Sequence, residues 1–228
     1  VVCEYIERPL ILPYPLVASC DEYVPYYKVD IRVYVLVTCA MPLTAYLHER
    51  ALVRYAAAPY TLSESSLDDV RIHITSRREG RERFSTMDEL RSYLEGTRGS
   101  EAQDVMWRNL ADVVFKALVA GCPRPPEDAD RYVDENVYDF ELFGFDVLLD
   151  EDLRPWVLEV NTQPDLSSFS PGGDKFYASD HSVKAAVVAD MLNLVWSEPR
   201  SRHQDFHGFK ALPFKDECIP RPSAPSDV

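Results

Sequence analysis

Three side chains in the second half of the chain have the chemistry of a metal site. Asp146, Glu159 and Asn161 offer carboxylate and amide oxygens, and a single apolar residue separates Glu159 from Asn161. Side chains two residues apart in a strand project to the same face, so Glu159 and Asn161 can act together. Mg²⁺ prefers oxygen ligands of this kind and keeps coordination positions open for phosphate. These residues therefore predict a magnesium site that can hold phosphate groups.

The element that must position these side chains is a β-hairpin. Two apolar-rich runs, 142–149 and 156–160, flank a charged break at 150–154, and this pattern predicts two strands joined by a turn. A turn centred on Asp152 and Leu153 would set the register. On one face the expected pairs are Gly144 with Asn161, Asp146 with Glu159 and Leu148 with Val157; on the other they are Phe145 with Val160, Val147 with Leu158 and Leu149 with Trp156. We expect the second face, which is wholly apolar, to be core.

In this register Asp146 and Glu159 meet as like charges. Two carboxylates roughly 5 Å apart repel by about 3 kcal/mol at an effective dielectric constant near 20, and like charges directly opposite in a ladder are disfavoured. A divalent cation would offset this repulsion. The alternative is a solvated hairpin face on which both acids point to water.

The hairpin also resembles the signature of a known family. The string FELFGFDVLLDEDLRPWVLEVNTQPDLS, residues 140–167, is similar to the tubulin-tyrosine-ligase-like enzymes, ATP-grasp ligases that join an amino acid to a tubulin chain. The resemblance implies that ATP and Mg²⁺ are the cofactors and that Asp146, Glu159 and Asn161 bind the metal, with Glu159 taking part in catalysis.

A strong strand pattern upstream supports the same resemblance. Residues 28–39, KVDIRVYVLVTC, alternate so that Lys28, Asp30 and Arg32 share one face, which predicts a strand. The segment resembles the family's K-F-D-L-R motif, which implies ATP contacts for Lys28 and Asp30 and a catalytic contact of Arg32 with phosphate or substrate. The fork of an arginine meets phosphate oxygens with two hydrogen bonds. The alternative is an exposed, charged sheet surface.

Residues 42–57 predict two more strands with a turn near 48–50. They match the family's E-G-L-x-R-F-A pattern except that Arg50 replaces the glycine, a change expected to alter the turn. The resemblance implies that Arg54 acts in catalysis by holding the carboxylate of the incoming amino acid. On its pattern alone, Arg54 is an ordinary exposed strand arginine.

The remaining nucleotide contacts rest on resemblance. The first residues predict a short buried strand that ends at Pro9, and Tyr5 and Ile6 fit the family's adenine-binding Q-x-Y-I pattern. Thr75 and Ser76 lie where the family has nucleotide contacts in H-L-T-N, although Ser76 departs from that motif. Cys3 likewise stands in place of the glutamine, and His73 fits the motif but, taken alone, is typical of a packed core histidine.

Three helices are expected around the sheet. A helix over 86–94 begins with a capping-box pattern at Thr86 and Glu89, and a longer helix covers 105–120. A third covers 183–195 after Asp180. Lys184 at its start matches a family lysine associated with the substrate, and its alternative is a solvated first-turn lysine.

Composition narrows the function classes. A net charge of −14 and a pI near 4.7 argue against a nucleic-acid-binding protein. They also fit poorly with an acidic tubulin tail as substrate. Five scattered cysteines argue against a disulfide framework or zinc site, and no apolar run is long enough to span a bilayer. We expect a soluble protein that binds no membrane.

The strand and helix patterns predict an α/β (α+β) fold with a mostly antiparallel sheet and flanking helices, and the family resemblance implies that it is ATP-grasp-like and incomplete at its N-terminus. Residues 1–196 would be the C-terminal part of a catalytic domain and 197–228 a proline-rich tail. The implied reaction adds free glutamate to a tubulin side-chain carboxylate, in the cytoplasm on microtubules of the cytoskeleton, including those of the cilium or basal body. The isolated chain is expected to be inactive. Two alternatives stay open: an inactive tubulin-binding module and an unrelated Mg²⁺-dependent phosphotransferase.

Overall fold

The computed structural model describes residues 4–16, 24–40, 43–75, 83–121, 140–168, 177–196 and 204–213. The strands of this part are β1 (Ile11–Pro13), β2 (Tyr26–Ala40), β3 (Leu43–His48), β4 (Leu52–Tyr55), β5 (Phe84–Thr86), β6 (Glu141–Leu149), β7 (Pro155–Asn161) and β8 (Phe209–Ala211). The helices are α1 (Val70–His73), α2 (Met87–Arg98), α3 (Ser100–Gly121) and α4 (Ala178–Val195). All of the described strands pair in antiparallel ladders, which confirms the predicted fold class.

Strand β2 is the centre of the sheet. Its residues Ile31 and Arg32 pair with β4 along one edge and with β6 along the other. Farther along, β2 pairs with β3, and β6 continues the sheet to β7. A buried strand of this length supplies the platform from which side chains of β4, β6 and β7 can meet.

The two faces of β2 bury different cores. One face carries Val29, Ile31, Val33 and Val35 against side chains of α2 and α3. The opposite face carries Tyr34 and Leu36 in a second cluster with α4 and β8. The predicted alternation of β2 is therefore confirmed, and its polar face lies on the α4 side of the sheet. None of the helices in the described ranges combines the length and the apolar character needed to cross a membrane.

The hairpin register is confirmed at the site end and wrong at the turn end. Gly144, Phe145 and Asp146 pair with Asn161, Val160 and Glu159 as predicted. A bulge then shifts the ladder by one residue, so that Val147, Leu148 and Leu149 pair with Val157, Trp156 and Pro155. A bulge adds one unpaired residue to a strand and turns the residues beyond it to the opposite face.

The predicted apolar core face of the hairpin was confirmed on β6 and wrong on β7. Phe145, Val147 and Leu149 are buried, but Trp156, Leu158 and Val160 are 45%, 54% and 44% exposed. Among the described strands, β7 pairs only with β6, so these side chains lie at the edge of the sheet. Burial of a strand face requires a packed layer above it, and periodicity alone does not reveal which strand lies at the edge.

The N-terminal strand prediction was wrong in position. Residues 4–8 form no strand, Pro9 makes an isolated bridge to Asp150, and β1 begins only at Ile11. Residues 1–3, which include Cys3, lie outside the described residues.

Helices α2 and α3 form where the sequence predicts them, but α2 continues past 94 to Arg98 and α3 begins at Ser100, five residues before its predicted start. Thr86 accepts a hydrogen bond from the Glu89 backbone N–H, and the Glu89 side chain accepts one in return, which completes the predicted capping box. The predicted start of the last helix at Val183 was wrong, because α4 already begins at Ala178.

The turn between β3 and β4 accommodates Arg50, which stands where the family pattern has glycine. Of the described non-glycine residues, only Leu153 and His207 have positive φ. Arg50 therefore needs none of the conformational freedom of glycine.

A short C-terminal strand joins the sheet where composition predicted a tail. β8 pairs with β3, and Gly208 lies against His48 and Asp190. His48 is fully buried, its Nε2 lies 3.2 Å from Asp190 Oδ2, and the Gly208 N–H donates to the same oxygen at 3.3 Å. Burial lowers the pKa of His48, against the effect of Asp190. The domain boundary at 196 stays a prediction.

Gly208→Ala should weaken the attachment of β8. A Cβ at this position would meet His48 Nε2 at 2.6 Å and Asp190 Oδ2 at 2.7 Å. We expect a loss of about 1–3 kcal/mol in the free energy of unfolding, measured by urea denaturation, because overpacking forces buried groups apart.

Gly96→Ala in α2 is the matched control. A Cβ there meets nothing within 4 Å, so the variant should be more stable than wild type by about 0.5–1 kcal/mol. Equal stability of Gly208→Ala and wild type would contradict the packing of β8 described above.

Candidate active site

The predicted functional side chains of four strands share the α4 side of the sheet. The register pairs Asp30 with Arg54, Arg32 with Asp146 and Asp146 with Glu159. Lys28 lies two residues before Asp30 on β2 and hence on the same face. The structure confirms this placement, while the roles of these residues stay predictions.

Two arginines and two aspartates form a buried network at the centre of this face. Arg54 donates from Nε to Asp30 Oδ1 at 2.8 Å and from Nη2 to Asp30 Oδ2, and its Nη2 also lies 2.9 Å from Asp146 Oδ2. Arg32 donates from Nη2 to Asp146 Oδ2 at 3.0 Å and from Nε to Asp146 Oδ1. Asp30 and Asp146 are each 2% exposed. The two positive and two negative charges balance.

The network fixes the protonation states of Asp146 and Arg54. Burial acts to raise the pKa of Asp146, but the hydrogen bonds and charges of Arg32 and Arg54 outweigh it and lower that pKa. Burial acts in the opposite direction on Arg54, and the charges of Asp30 and Asp146 raise its pKa. Burial lowers the pKa of Lys28, against the charge of Asp30. Asp146 and Arg54 therefore stay ionised, as a charged binding surface requires.

Gly144 is the residue that lets Arg32 reach Asp146. A Cβ at Gly144 would lie 2.9 Å from the Pro164 Cβ and 3.1 Å from the Arg32 Cδ. Only glycine leaves this space to the two neighbouring side chains.

Arg32 and Arg54 compensate the charge of Asp146. A metal ion is therefore not needed to offset the expected repulsion between Asp146 and Glu159. Among the described residues, no three His, Cys, Asp or Glu side chains are grouped to hold a metal ion.

Two carboxylates and one amide nevertheless remain as donors on this face. Asn161 donates from Nδ2 to Gly144 O and to Glu159 Oε1, each at 3.2 Å. Its oxygen is the atom left for a cation. The donors Asp146, Glu159 and Asn161 fit a divalent ion that takes its further ligands from phosphate groups.

An aromatic cluster lies at the Lys28 end of the face. Lys28 donates to the Tyr5 hydroxyl at 3.1 Å, and its Nζ lies 4.4 Å from the centre of the Tyr5 ring. The same hydroxyl is 2.7 Å from His73 Nδ1, and the His73 ring meets Tyr60 edge to face. His73 is thus a member of this cluster rather than a packed core histidine, and the spacing of the family motif was the signal for it.

The other predicted nucleotide contacts are placed less closely. Ile6 and Thr75 are half-buried; Ile6 follows Tyr5 directly, and Thr75 lies two residues after His73. Ser76 lies outside the described residues.

Lys184 is buried rather than solvated. It lies one helical turn after Asp180 in α4, donates to Asp180 Oδ2 at 2.9 Å and also donates to the Ser167 carbonyl. In the described part of the chain these partners, and not the arginine network, hold Lys184. Because α4 starts five residues earlier than predicted, Asp180 belongs to the helix and can pair with Lys184 across one turn.

Comparisons with known proteins point to one family. The profile described as "Tubulin-tyrosine ligase family" matches residues 1–204. The human "Tubulin monoglutamylase TTLL4" is 33% identical over 234 residues, which cover 96% of this chain and 17% of that protein.

Two further relatives give similar values. The Caenorhabditis elegans "Tubulin polyglutamylase ttll-4" is 30% identical over 83% of this chain and 30% of its own length. The Rattus norvegicus "Probable tubulin polyglutamylase TTLL9" is 28% identical over 88% of this chain and 42% of its own length. The chain spans less than half the length of each of these relatives.

Arg54→Met should destabilise the fold strongly. The substitution removes the guanidinium that Asp30 and Asp146 share in a buried site. Removing one partner of a buried ion pair lowers the free energy of unfolding by about 3–5 kcal/mol. Lys116→Met is the control, because Lys116 and Asp112 form an exposed pair in α3 whose loss should cost less than about 1 kcal/mol. Urea unfolding of both variants measures the difference, and equal stabilities would contradict the compensation assigned to Arg54.

The same variant should shift the acid limit of stability. The folded-state pKa of Asp146 is lowered from its ordinary value of 3.8, so its contribution is present above that value and is lost as the pH falls through the lowered pKa. Removing the Arg54 charge raises the pKa of Asp146. Acid unfolding followed by circular dichroism should therefore begin at a higher pH in Arg54→Met than in wild type. An unchanged acid midpoint would show that Arg54 does not control the Asp146 carboxylate.

Proposed function

The chain belongs to the tubulin-tyrosine ligase family, and on this premise we propose that it is the C-terminal part of the catalytic domain of an ATP- and Mg²⁺-dependent ligase that adds glutamate to tubulin. The observation that carries the proposal is the buried network of Arg32, Arg54, Asp30 and Asp146, bordered by Glu159 and Asn161 on the same sheet face. The guanidiniums of such a face can bind anionic groups, and its carboxylates can hold the divalent cation that accompanies ATP phosphates.

The proposed reaction proceeds in two steps. A side-chain carboxylate of tubulin attacks the terminal phosphorus of ATP, which releases ADP and leaves an acyl phosphate. The amine of free glutamate then attacks the acyl carbon, phosphate leaves, and an amide remains. Magnesium bound to phosphate oxygens would neutralise their charge, and Asp146, Glu159 and Asn161 would hold it.

Arg32 and Arg54 would bind different groups of the substrates. Arg32 would bind a phosphate oxygen or the reacting acceptor group, because it lies beside Asp146. Arg54 would bind the carboxylate of free glutamate. Both guanidiniums have two-pronged geometry and lowered exposure, conditions under which charge-assisted hydrogen bonds are strongest.

The nucleotide would extend toward the other end of β2. Lys28 and Asp30 would meet its phosphates or ribose, and Tyr5 and Ile6 would meet adenine, with Thr75 and Ser76 beside them. The contact between Lys28 and Tyr5 supports a continuous binding surface from the network to the aromatic cluster. Lys184 is assigned to substrate binding on the basis of its family motif.

The choice of glutamate follows the relatives. The names of TTLL4 and ttll-4 describe them as a glutamylase and a polyglutamylase of tubulin. Tubulin in microtubules would then be the protein partner, and the cytoskeleton the site of action.

One observation favours a second candidate, a tubulin-binding module without ligase activity. The guanidinium groups of Arg32 and Arg54 both pair with aspartates of the same chain. Less positive charge is therefore available to a substrate. Tubulin binding without any transfer of glutamate by the full-length protein would favour this candidate.

Glu159→Gln in the full-length protein is the direct test. The change keeps the size of the side chain but removes a charged metal ligand, so transfer of labelled glutamate to tubulin should fall by a factor on the order of a hundred or more. Glu151→Gln is the control, because Glu151 lies in the turn of the same hairpin and pairs with the exposed Arg8. Unchanged transfer in Glu159→Gln would remove the proposed role of the metal site.

The 228-residue chain by itself should not transfer glutamate. It covers 17% of the length of the human relative, and phosphates held on one open face stay in water, where charged contacts are far weaker than in an enclosed site. Labelled glutamate, ATP and tubulin incubated with the isolated chain should give no product, in contrast to the full-length protein. Transfer by the isolated chain at a comparable rate would show that this part contains a complete site.

A further inference from the structure

Tyr34 carries a buried hydroxyl that the proposed mechanism does not use. The residue is fully buried, and within the described part of the chain its hydroxyl makes no hydrogen bond. Tyr55, a buried tyrosine in the other core, bonds Ser85 Oγ at 3.1 Å. A buried polar group without a partner lowers stability, so Tyr34 differs from an ordinary core tyrosine.

The position of Tyr34 places it next to the network. It follows Arg32 by two residues on β2, and it pairs with Gly144 where Arg32 pairs with Asp146. Tyr34 therefore projects from the same sheet face as Arg32. Its ring packs in the core cluster with Val183 of α4.

The hydroxyl lies in a charged environment. Burial is the main cause that raises the pKa of Tyr34, and the charges of Arg32, Asp180, Arg54 and Asp165 also act on it. The hydroxyl is therefore protonated and can donate a hydrogen bond. Donation to an anion beside the two guanidiniums would be favoured by their positive charge.

Arg32 and a cation would share the Asp146 carboxylate. Oδ2 accepts from Arg32 Nη2 and lies 2.9 Å from Arg54 Nη2, whereas Oδ1 accepts from Arg32 Nε. A carboxylate oxygen has two acceptor positions, so a metal ion could bind Oδ1 beside the Arg32 hydrogen bond and would offset part of the charge of Asp146. More of the Arg32 charge would then be available to an anion, and the Tyr34 hydroxyl, on the same strand and face, is a further donor for that anion.

We propose that the Tyr34 hydroxyl is a binding residue that donates a hydrogen bond to an anionic ligand oxygen held jointly with Arg32. The oxygen belongs to the carboxylate of free glutamate or to a phosphate of ATP, and the two share the same recognition chemistry. This inference rests on the proposed ligase function and assigns to that site a residue with no role in it so far.

Tyr34→Phe in the full-length protein tests the proposal. Affinity for one of the two ligands should fall about tenfold to a hundredfold, the effect of losing a hydrogen bond to a charged group. Affinity is measured by calorimetry with glutamate and, separately, with Mg²⁺ and a non-hydrolysable ATP analogue. Loss for glutamate alone identifies the carboxylate, and loss for the analogue alone identifies the phosphate.

Stability separates a ligand contact from a structural one. Without ligand, Tyr34→Phe should melt at the same temperature as wild type or higher, because the removed hydroxyl has no protein partner. Tyr55→Phe is the matched control: it loses the bond to Ser85, so it should melt lower and bind both ligands normally.

Three outcomes would overturn the proposal. If Tyr34→Phe binds both ligands as wild type does, the hydroxyl meets no ligand and at most a water molecule. If Tyr34→Phe melts as low as Tyr55→Phe, the hydroxyl has a protein partner. If wild type binds neither ligand, the ligase function fails, and the Tyr34 proposal fails with it.

Discussion

The buried pairing of two arginines with two aspartates is the constraint on which the site depends. Arg54 reaches Asp30 on the neighbouring strand and Asp146 two strands away. Charges buried to this extent are tolerated only when each has a partner with good geometry. The network therefore ties β2, β4 and β6 to one register, since a shift of one residue would move every charge to the apolar face.

The same constraint explains why the face can serve chemistry. The charges are held in place by rigid strands rather than loops, so binding groups need little reorganisation. Gly144 completes this arrangement, because its missing side chain makes room for Arg32 and Pro164. Any ligand that binds on this face would meet guanidiniums and carboxylates that are already paired with each other.

Helix α4 packs on the same side of the sheet, and strand β8 extends the sheet beside β3. The α4 residues Val183 and Val187 pack on Tyr34, while Asp180 and Lys184 form a buried pair on the helix. At the far end of α4, Asp190 meets His48 and Gly208. One helix thus contacts both the neighbourhood of the site and the C-terminal strand, and apolar burial holds it in place.

The sequence by itself determined the strand pattern of β2, the capping box of α2 and the pairing of Asp146 with Glu159, because local periodicity and cap chemistry depend on neighbours in the chain. It did not reveal the bulge at Leu158, the edge position of β7 or the start of α4 at Ala178. Those features depend on which layers cover each strand. Above all, the sequence pattern offered a metal ion or solvent to offset the charge of Asp146, whereas the fold brings Arg32 and Arg54 to that carboxylate. Pairing between strands that lie more than a hundred residues apart in the chain places them there, and no local pattern encodes such a contact.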